Sequence, residues 1–137
     1  MCPRTLLVVA AFGLFGCGKI REIRQCRALA ALVNPALDEI SSRVGKEQNA
    51  AAYRFASTRY AKLSGDLQHF HLGIPRAEGT VEELAGAMKD ASSNAAKLAE
   101  ALDKSDAVVA GNARRDLGHL ARQQKSITMR LASECSE

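Results

Sequence analysis

Apolar side chains recur every three or four residues along most of this chain, and polar side chains fill the positions between them. That spacing is the period of an amphipathic helix, and no segment shows the period of two that a half-buried strand requires. The first apolar stripe consists of Ile23, Cys26, Ala30, Val33, Leu37, Ile40 and Val44. Gly45 is the predicted end of this first helix.

Two further segments flank Gly73, Ile74 and Pro75, which separate them because proline cannot continue a helix. The second stripe consists of Tyr53, Ala56, Tyr60, Leu63, Leu67 and Phe70. The third consists of Val81, Leu84, Met88, Ala91, Ala95, Leu98 and Leu102. Thr80, with Glu83 three residues later, has the spacing of a capping box, so we expect the third helix to begin there.

The fourth segment follows a short predicted turn at residues 103–106, and its stripe consists of Ala113, Leu117, Leu120, Gln124, Ile127 and Leu131. Each segment spans about 25 residues, or ~38 Å of helix. Short connections make neighbouring helices antiparallel. The pattern therefore predicts an all-α, antiparallel up-down-up-down four-helix bundle, with a pair of hairpins that share no common core as the alternative.

Pro35 interrupts the first stripe. A proline inside a helix removes one backbone hydrogen bond and clashes with the carbonyl four residues earlier, here that of Ala31. The stripe nevertheless continues in register from Val33 to Leu37, so we expect one continuous, kinked helix. The alternative is a break, with Asn34 capping a new helix that has Pro35 at its first position.

The composition and charge of the chain limit the classes of function that it can have. The chain has 137 residues, 47% of them hydrophobic, which suffices for one domain with a core. The net charge of +4 and the pI of about 9.0 come from charges of mixed sign, whereas a nucleic-acid-binding protein usually carries a clustered basic stripe. We therefore expect no nucleic-acid partner. A cytosolic nucleic-acid-binding bundle ranks last of the three functions considered for this chain, because the pI alone supports it.

The N-terminal segment has the features of an export signal. Arg4 precedes an uncharged, largely apolar run over residues 6–16. This run is too short to span a bilayer, which takes about 20 apolar residues, and it fits the apolar region of a secretory signal. The segment could also be an ordinary cleaved signal, or the apolar first helix of a cytosolic chain.

The end of this run, Leu-Phe-Gly-Cys at residues 14–17, resembles the lipobox of bacterial lipoproteins. Phe15 departs from the pattern, because that position is usually small. The resemblance implies a signal peptide over residues 1–16, cleavage before Cys17, and a mature domain over residues 17–137. It also implies diacylglycerol on the Cys17 sulfur, usually with a further acyl chain on the new amine.

Residues just beyond Cys17 bear on the membrane. Under the sorting rule that comes with the resemblance, Gly18 instead of aspartate implies the outer membrane, facing the periplasm. A basic cluster follows, consisting of Lys19, Arg21, Arg24 and Arg27. We expect it to contact anionic headgroups, at about 1 kcal/mol for each charge near the surface. The alternative is a solvated helix face.

The four cysteines fit the same reading. Cys2 leaves with the signal, and a lipidated Cys17 leaves Cys26 and Cys135 as the remaining pair. Exported cysteine pairs tend to form disulfides, so we predict this bridge. The start of helix 1 and the end of helix 4 share one end of the predicted bundle. Cys26 nevertheless lies about two turns inside helix 1, an offset of ~10 Å from the end.

Catalytic and metal-binding patterns are missing from the sequence. His69 and His71 point about 200° apart on a helix, so they cannot share one ion, and His119 lies far along the chain. Neither a glycine-rich phosphate loop nor a nucleophile elbow occurs. We therefore expect no metal, no cofactor and no enzymatic activity.

These observations predict a lipid-anchored, non-enzymatic protein of the cell envelope that presents a face of its bundle to an envelope protein partner. Phe55, which lies off the stripe, is a candidate for such a contact. The alternative function is a carrier or sensor that binds a small apolar ligand within the bundle. We expect Tyr53 and Tyr60 to be core residues, and a pocket beside them would favour the carrier.

Overall fold

We analysed a computed structural model of the chain, which describes the backbone from residue 10 and the side chains of residues 18–137. The predicted signal peptide over residues 1–16 and the predicted lipidation of Cys17 fall outside the residues whose side chains are described. The described part contains four helices and no strand: α1 (Ala10–Glu47), α2 (Ala50–Gln68), α3 (Pro75–Asp103) and α4 (Ala107–Ser136). The all-α prediction is confirmed. Within the described residues, no helix combines the length and the apolar character needed to cross a bilayer.

α3 is the central helix of the bundle. It packs against both α2 and α4, and α2 also packs against α1, whereas α1 and α4 make the weakest of the helix–helix contacts. α3 contributes 12 buried residues, compared with five from α2 and four from α4. The largest fully buried side chains are Leu63, Leu67, Leu72, Ile74, Leu84, Met88, Leu98 and Ile127. The predicted stripe of α3 is buried throughout except at Leu102, which is half-buried.

α1 runs without a break through Pro35, which is exposed, so the continuous-helix prediction is confirmed. Its buried face differs in part from the predicted stripe. The fully buried residues are Leu29, Val33, Ala36 and Ile40. Ile23 and Ala30, predicted to be core residues, are exposed. Both lie on the side of α1 that faces α4, where the two helices touch least.

The first helix does not end at Gly45, and that prediction is wrong. α1 continues to Glu47, and the chain turns at Gln48, whose φ is +44°. Asn49 then begins α2, because its side-chain oxygen accepts a hydrogen bond from the Ala52 amide at 2.9 Å. Glycine weakens a helix by about 1 kcal/mol but does not stop it. The break therefore falls where a capping side chain is available.

The predicted start of the third helix at Thr80 is also wrong. α3 begins five residues earlier at Pro75, since a proline at the first helical position has the required φ and loses no hydrogen bond. Glu78 in the first turn accepts a hydrogen bond from the Gly73 amide at 2.7 Å. Thr80 lies inside the helix and is buried, and its hydroxyl donates to Glu134 Oε1 at 3.0 Å.

The connection between α2 and α3, residues 69–74, forms part of the core. Leu72 and Ile74 are only 1% and 0% exposed. Phe70, which the pattern assigned to the second helix, lies in this connection and is half-buried. Gly73 has a φ of +71°, a conformation that glycine adopts at little cost. The connection thereby turns two large apolar side chains into the bundle.

The turn between α3 and α4 is confirmed. α3 ends at Asp103, and Ser105 has a φ of +54°. Asp106 begins α4, because its carboxylate accepts a hydrogen bond from the Val109 amide at 3.0 Å. These residues are exposed, in contrast to those of the 69–74 connection.

Candidate functional site

Cys26 and Cys135 come together as predicted, with their Sγ atoms 2.09 Å apart and their Cα atoms 6.0 Å apart. The offset expected from the sequence is present. α1 begins 16 residues before Cys26, more than four helical turns, whereas α4 ends one residue after Cys135. The Lys19 ammonium spans part of this offset by donating to the backbone carbonyl of Glu137 at 2.6 Å.

Arg76 at the start of α3 ties the same region together. Its Nε and Nη2 donate to the backbone carbonyl of Glu134 at 3.1 and 2.8 Å. Its guanidinium also lies 3.8 Å from the carboxylate of Glu22 and 3.9 Å from that of Glu137. These ion pairs are exposed, so each contributes only about 0.2–1 kcal/mol. The disulfide is therefore the stronger link between the start of α1 and the end of α4.

The basic cluster divides into two parts. Arg21, Arg24 and Arg27 are exposed and recur every three residues, which places them on one side of α1. Lys19 differs from them because its ammonium already binds the Glu137 carbonyl. Their contact with a membrane stays a prediction.

Two apolar cavities open along the seam between α1 and α4. The first, here called the disulfide groove, has a volume of about 380 Å³. It is lined by Ile23, Cys26, Arg27, Leu29, Ala30, Val33, Asn34, Leu84, Thr128, Leu131, Ala132 and Cys135. Ile23 and Ala30 belong to the apolar stripe of α1 and are nevertheless exposed, because they line this groove and α4 does not cover them.

The second cavity, here called the tyrosine cavity, has a volume of about 490 Å³ and lies farther from the disulfide. All four helices line it. The lining residues are Ile40, Ser41, Val44, Gly45, Tyr53, Ala56, Tyr60, Ala91, Ala95, Leu98, Arg114, Leu117, Gly118, Leu120, Ala121 and Gln124. Tyr53 and Tyr60, which we expected to be core residues, are half-buried at its wall. The volume falls in the range of small-molecule sites, about 300–1,000 Å³.

The charged lining of the tyrosine cavity is of one sign, positive. Arg114 is its only charged lining residue, and no carboxylate lines it. Arg114 is exposed and makes no ion pair with any residue among 18–137. Its helical neighbours three and four residues away are Ala110, Gly111, Leu117 and Gly118. Burial raises the pKa of the Tyr60 phenol, and the neutral phenol can donate a hydrogen bond.

The histidines do not converge. His69 Nδ1 lies 2.8 Å from the Gly65 carbonyl at the end of α2, and His119 Nδ1 lies 2.9 Å from Arg122 Nη2. His71 is exposed in the connection that follows α2. Across the described side chains, no group of three or more histidine, cysteine, aspartate or glutamate residues is placed to hold a metal ion.

Phe55 is half-buried on α2, and the Arg43 guanidinium lies 5.5 Å from the centre of its ring. This is cation–π geometry. One face of the ring thus already has a partner from α1. Its role in binding another protein stays a prediction.

Sequence reasoning missed four residues of the tyrosine cavity: Ser41, Arg114, Gly118 and Ala121. No sequence signal points to Ser41. Two signals point to the three residues of α4. Gly118 and Ala121 are small residues three apart beside the α4 stripe, and Arg114 has no acidic neighbour at helical spacing. The cavity as a whole is an open, largely apolar hollow whose lining includes one cation. Comparison of the chain with family models, curated proteins and solved structures finds no match.

Proposed function

We propose that the protein is a lipid-anchored, non-enzymatic protein of the bacterial cell envelope that presents its helical bundle to an envelope protein partner. Cys17 holds it in the outer membrane, facing the periplasm. The observation that carries the proposal is the pairing of Cys26 with Cys135. Such bridges persist in oxidising compartments outside the cytosol. The pairing therefore agrees with the export signal and the lipobox-like motif at residues 14–17.

The topology that goes with this proposal is an up-down-up-down bundle. The exposed connections at residues 48–49 and 104–106 are short, which favours antiparallel neighbours. The disulfide joins an early part of α1 to the last turn of α4. That pairing is the one expected when both chain ends of the bundle lie on the same side.

In this arrangement, the disulfide end of the bundle lies nearest the membrane. Nine residues of helix separate Cys17 from Cys26, or about 14 Å. Arg21, Arg24 and Arg27 lie within this interval or at its end, where each contributes about 1 kcal/mol when it contacts anionic headgroups. The seam between α1 and α4 then runs away from the membrane, with its apolar side chains accessible to a partner.

The mass of the full-length product from bacterial membranes tests this proposal. We expect a chain that starts at Cys17 and carries diacylglycerol and acyl mass, and that gains two mass units on reduction. Cys17→Ala is expected to stay uncleaved and unlipidated, while Cys2→Ala, the matched control within the signal, is processed normally. An unprocessed wild-type chain with free thiols overturns the envelope proposal.

A second candidate function is a carrier or sensor for a small apolar ligand. The tyrosine cavity favours it specifically, because it lies beside Tyr53 and Tyr60 and is lined by all four helices. A filled core at this place would have removed this candidate. The cavity and the lipid anchor are compatible, since the lining residues lie well away from Cys17 along the chain.

A further inference from the structure

We propose that the tyrosine cavity binds a single-chain amphiphile with an anionic head, of which a long-chain fatty acid is the simplest example. The alkyl chain lies among the apolar side chains of the cavity, and the carboxylate binds the Arg114 guanidinium. This inference rests on the second candidate function and names the chemical class of its ligand.

The apolar part of the argument comes from the cavity wall. Ala56, Ala91 and Ala95 are 1%, 3% and 0% exposed, so the inner wall carries no polar side chain at these positions. Leu117 and Leu120 of α4 are only half-buried and line the same space. An alkyl chain that displaces water from these surfaces gains free energy in proportion to the apolar area it covers.

The charge of the cavity selects the head group. Its lining includes one cation, Arg114, and no carboxylate. A guanidinium donates two parallel hydrogen bonds to a carboxylate, and such charge-assisted pairs are stronger than neutral ones. Arg114 is exposed, so a head group bound there keeps contact with solvent while its chain enters the bundle. A neutral apolar ligand would make no use of this arrangement.

The disulfide groove is the weaker candidate for the same ligand. It also has an arginine in its lining, Arg27, but its volume is about 380 Å³ compared with about 490 Å³. Its lining comes almost entirely from α1 and α4, with Leu84 as the single contribution from α3. The tyrosine cavity surrounds a chain from four helices and therefore covers more of its surface.

Photocrosslinking of the full-length chain in bacterial membranes tests the proposal. The probe is palmitate that carries a diazirine on its chain, and the readout is the adduct on the tryptic peptide 116–122, which contains four lining residues. We expect saturable labelling of this peptide that unlabelled palmitate displaces. A diazirine derivative of hexadecanol has no charge and cannot pair with Arg114. Its half-saturating concentration for labelling should therefore be roughly fivefold higher, which corresponds to the loss of one exposed ion pair.

Two pairs of variants locate the site. Arg114→Gln should raise the half-saturating palmitate concentration by roughly fivefold. Its control is Arg115→Gln, since Arg115 donates to Asn112 and does not line the cavity. Because this variant loses the tryptic cleavage after residue 115, its adduct is measured on peptide 115–122. Ala121→Trp should abolish labelling by filling the cavity from an exposed helical position, whereas Gln123→Trp, also exposed but outside the lining, should not. Gly118→Leu is a second filling variant, because a Cβ atom at Gly118 meets only the flexible end of Arg122, at 3.9 Å, and Gly118 itself lines the cavity.

Each contrary result has its own meaning. If the neutral probe labels the peptide as well as palmitate does, and Arg114→Gln changes nothing, the anionic class is overturned while the carrier function stands. If neither probe labels residues 116–122, or if both filling variants label normally, the ligand inference and the carrier function fail together. If lysophosphatidylglycerol displaces the probe better than palmitate, the head group is a phosphate and the carboxylate assignment is overturned.

Discussion

Replacing Cys26 and Cys135 together by alanine tests how the ends of the bundle are held. The bridge closes a loop whose ends are 109 residues apart. On the chain-entropy model, a loop of this length stabilises the folded state by about 4.8 kcal/mol at 25 °C. Losses of about 2–5 kcal/mol are typical when a native disulfide is removed. We therefore expect the free energy of unfolding to fall by about 3–5 kcal/mol.

The loss should be concentrated in α1. Within the described residues, α1 buries only Leu29, Val33, Ala36 and Ile40, whereas α3 buries 12 residues. Without the bridge, the polar contacts left in this region are exposed: Lys19 donates to the Glu137 carbonyl, and Arg76 of α3 pairs with Glu22 of α1 and donates to the Glu134 carbonyl of α4. We expect the amides of residues 18–34 to lose hydrogen-exchange protection first, while those of α3 keep theirs.

Urea unfolding of the full-length chain in mild detergent measures the global effect, and native-state hydrogen exchange measures the local one. The oxidised wild type is the reference, and the reduced wild type is the control, which should match the Cys26→Ala/Cys135→Ala variant. A loss below about 1 kcal/mol would refute the loop-entropy reasoning. An equal loss of protection in α1 and α3 would refute the argument that α1 is the weakly held helix.

Three further predictions concern single side chains. Leu84→Ala, at a position with no exposure, should lower the free energy of unfolding by about 2–5 kcal/mol. Its control, Met129→Ala at 64% exposure, should change the free energy of unfolding by less than about 0.5 kcal/mol. Equal losses for the two variants in urea unfolding would contradict the observed core. Pro35→Ala should raise the free energy of unfolding by about 1–3 kcal/mol, since it restores a hydrogen bond to the Ala31 carbonyl and removes an interior proline; a fall in the urea midpoint would count against an unbroken α1. Because burial raises the pKa of Tyr60, the neutral phenol's contribution to the free energy of unfolding is fully present below the ordinary phenol pKa and is lost as the pH rises above about 10. Tyr60→Phe should therefore flatten the fall of stability at alkaline pH. An unchanged profile of stability against pH would show that the phenol is not buried.

The helical spacing was sufficient to predict four helices and most of the α3 core. It was not sufficient for helix boundaries, which depend on individual capping interactions. Gly45 was a weaker boundary signal than the Asn49 side chain, which caps α2. Pro75 was interpreted as a terminator, although the same residue also suits the first position of a helix. The competing capping signal at Thr80 was spurious, because its hydroxyl bonds to Glu134 and not to its own helix end.

The seam was less predictable than the core, for a physical reason. A stripe of apolar residues shows which side of a helix faces the bundle, but not whether a neighbouring helix comes close enough to cover it. Ile23 and Ala30 have the correct register and remain exposed. Tyr53 and Tyr60 have it too and line a cavity. The Cys26–Cys135 pair was easier to predict, because cysteine parity and the predicted export signal point to it without any packing detail.

The buried connection at residues 69–74 has a consequence for how the chain can change its length. Exposed connections tolerate inserted residues well, since lengthening a loop adds little closure entropy. The turns at 48–49 and 104–106 are of that kind. Leu72 and Ile74, by contrast, fill the core from within their connection. An insertion there would withdraw two apolar side chains from the bundle, so tags, epitopes or additional segments belong at the other two turns.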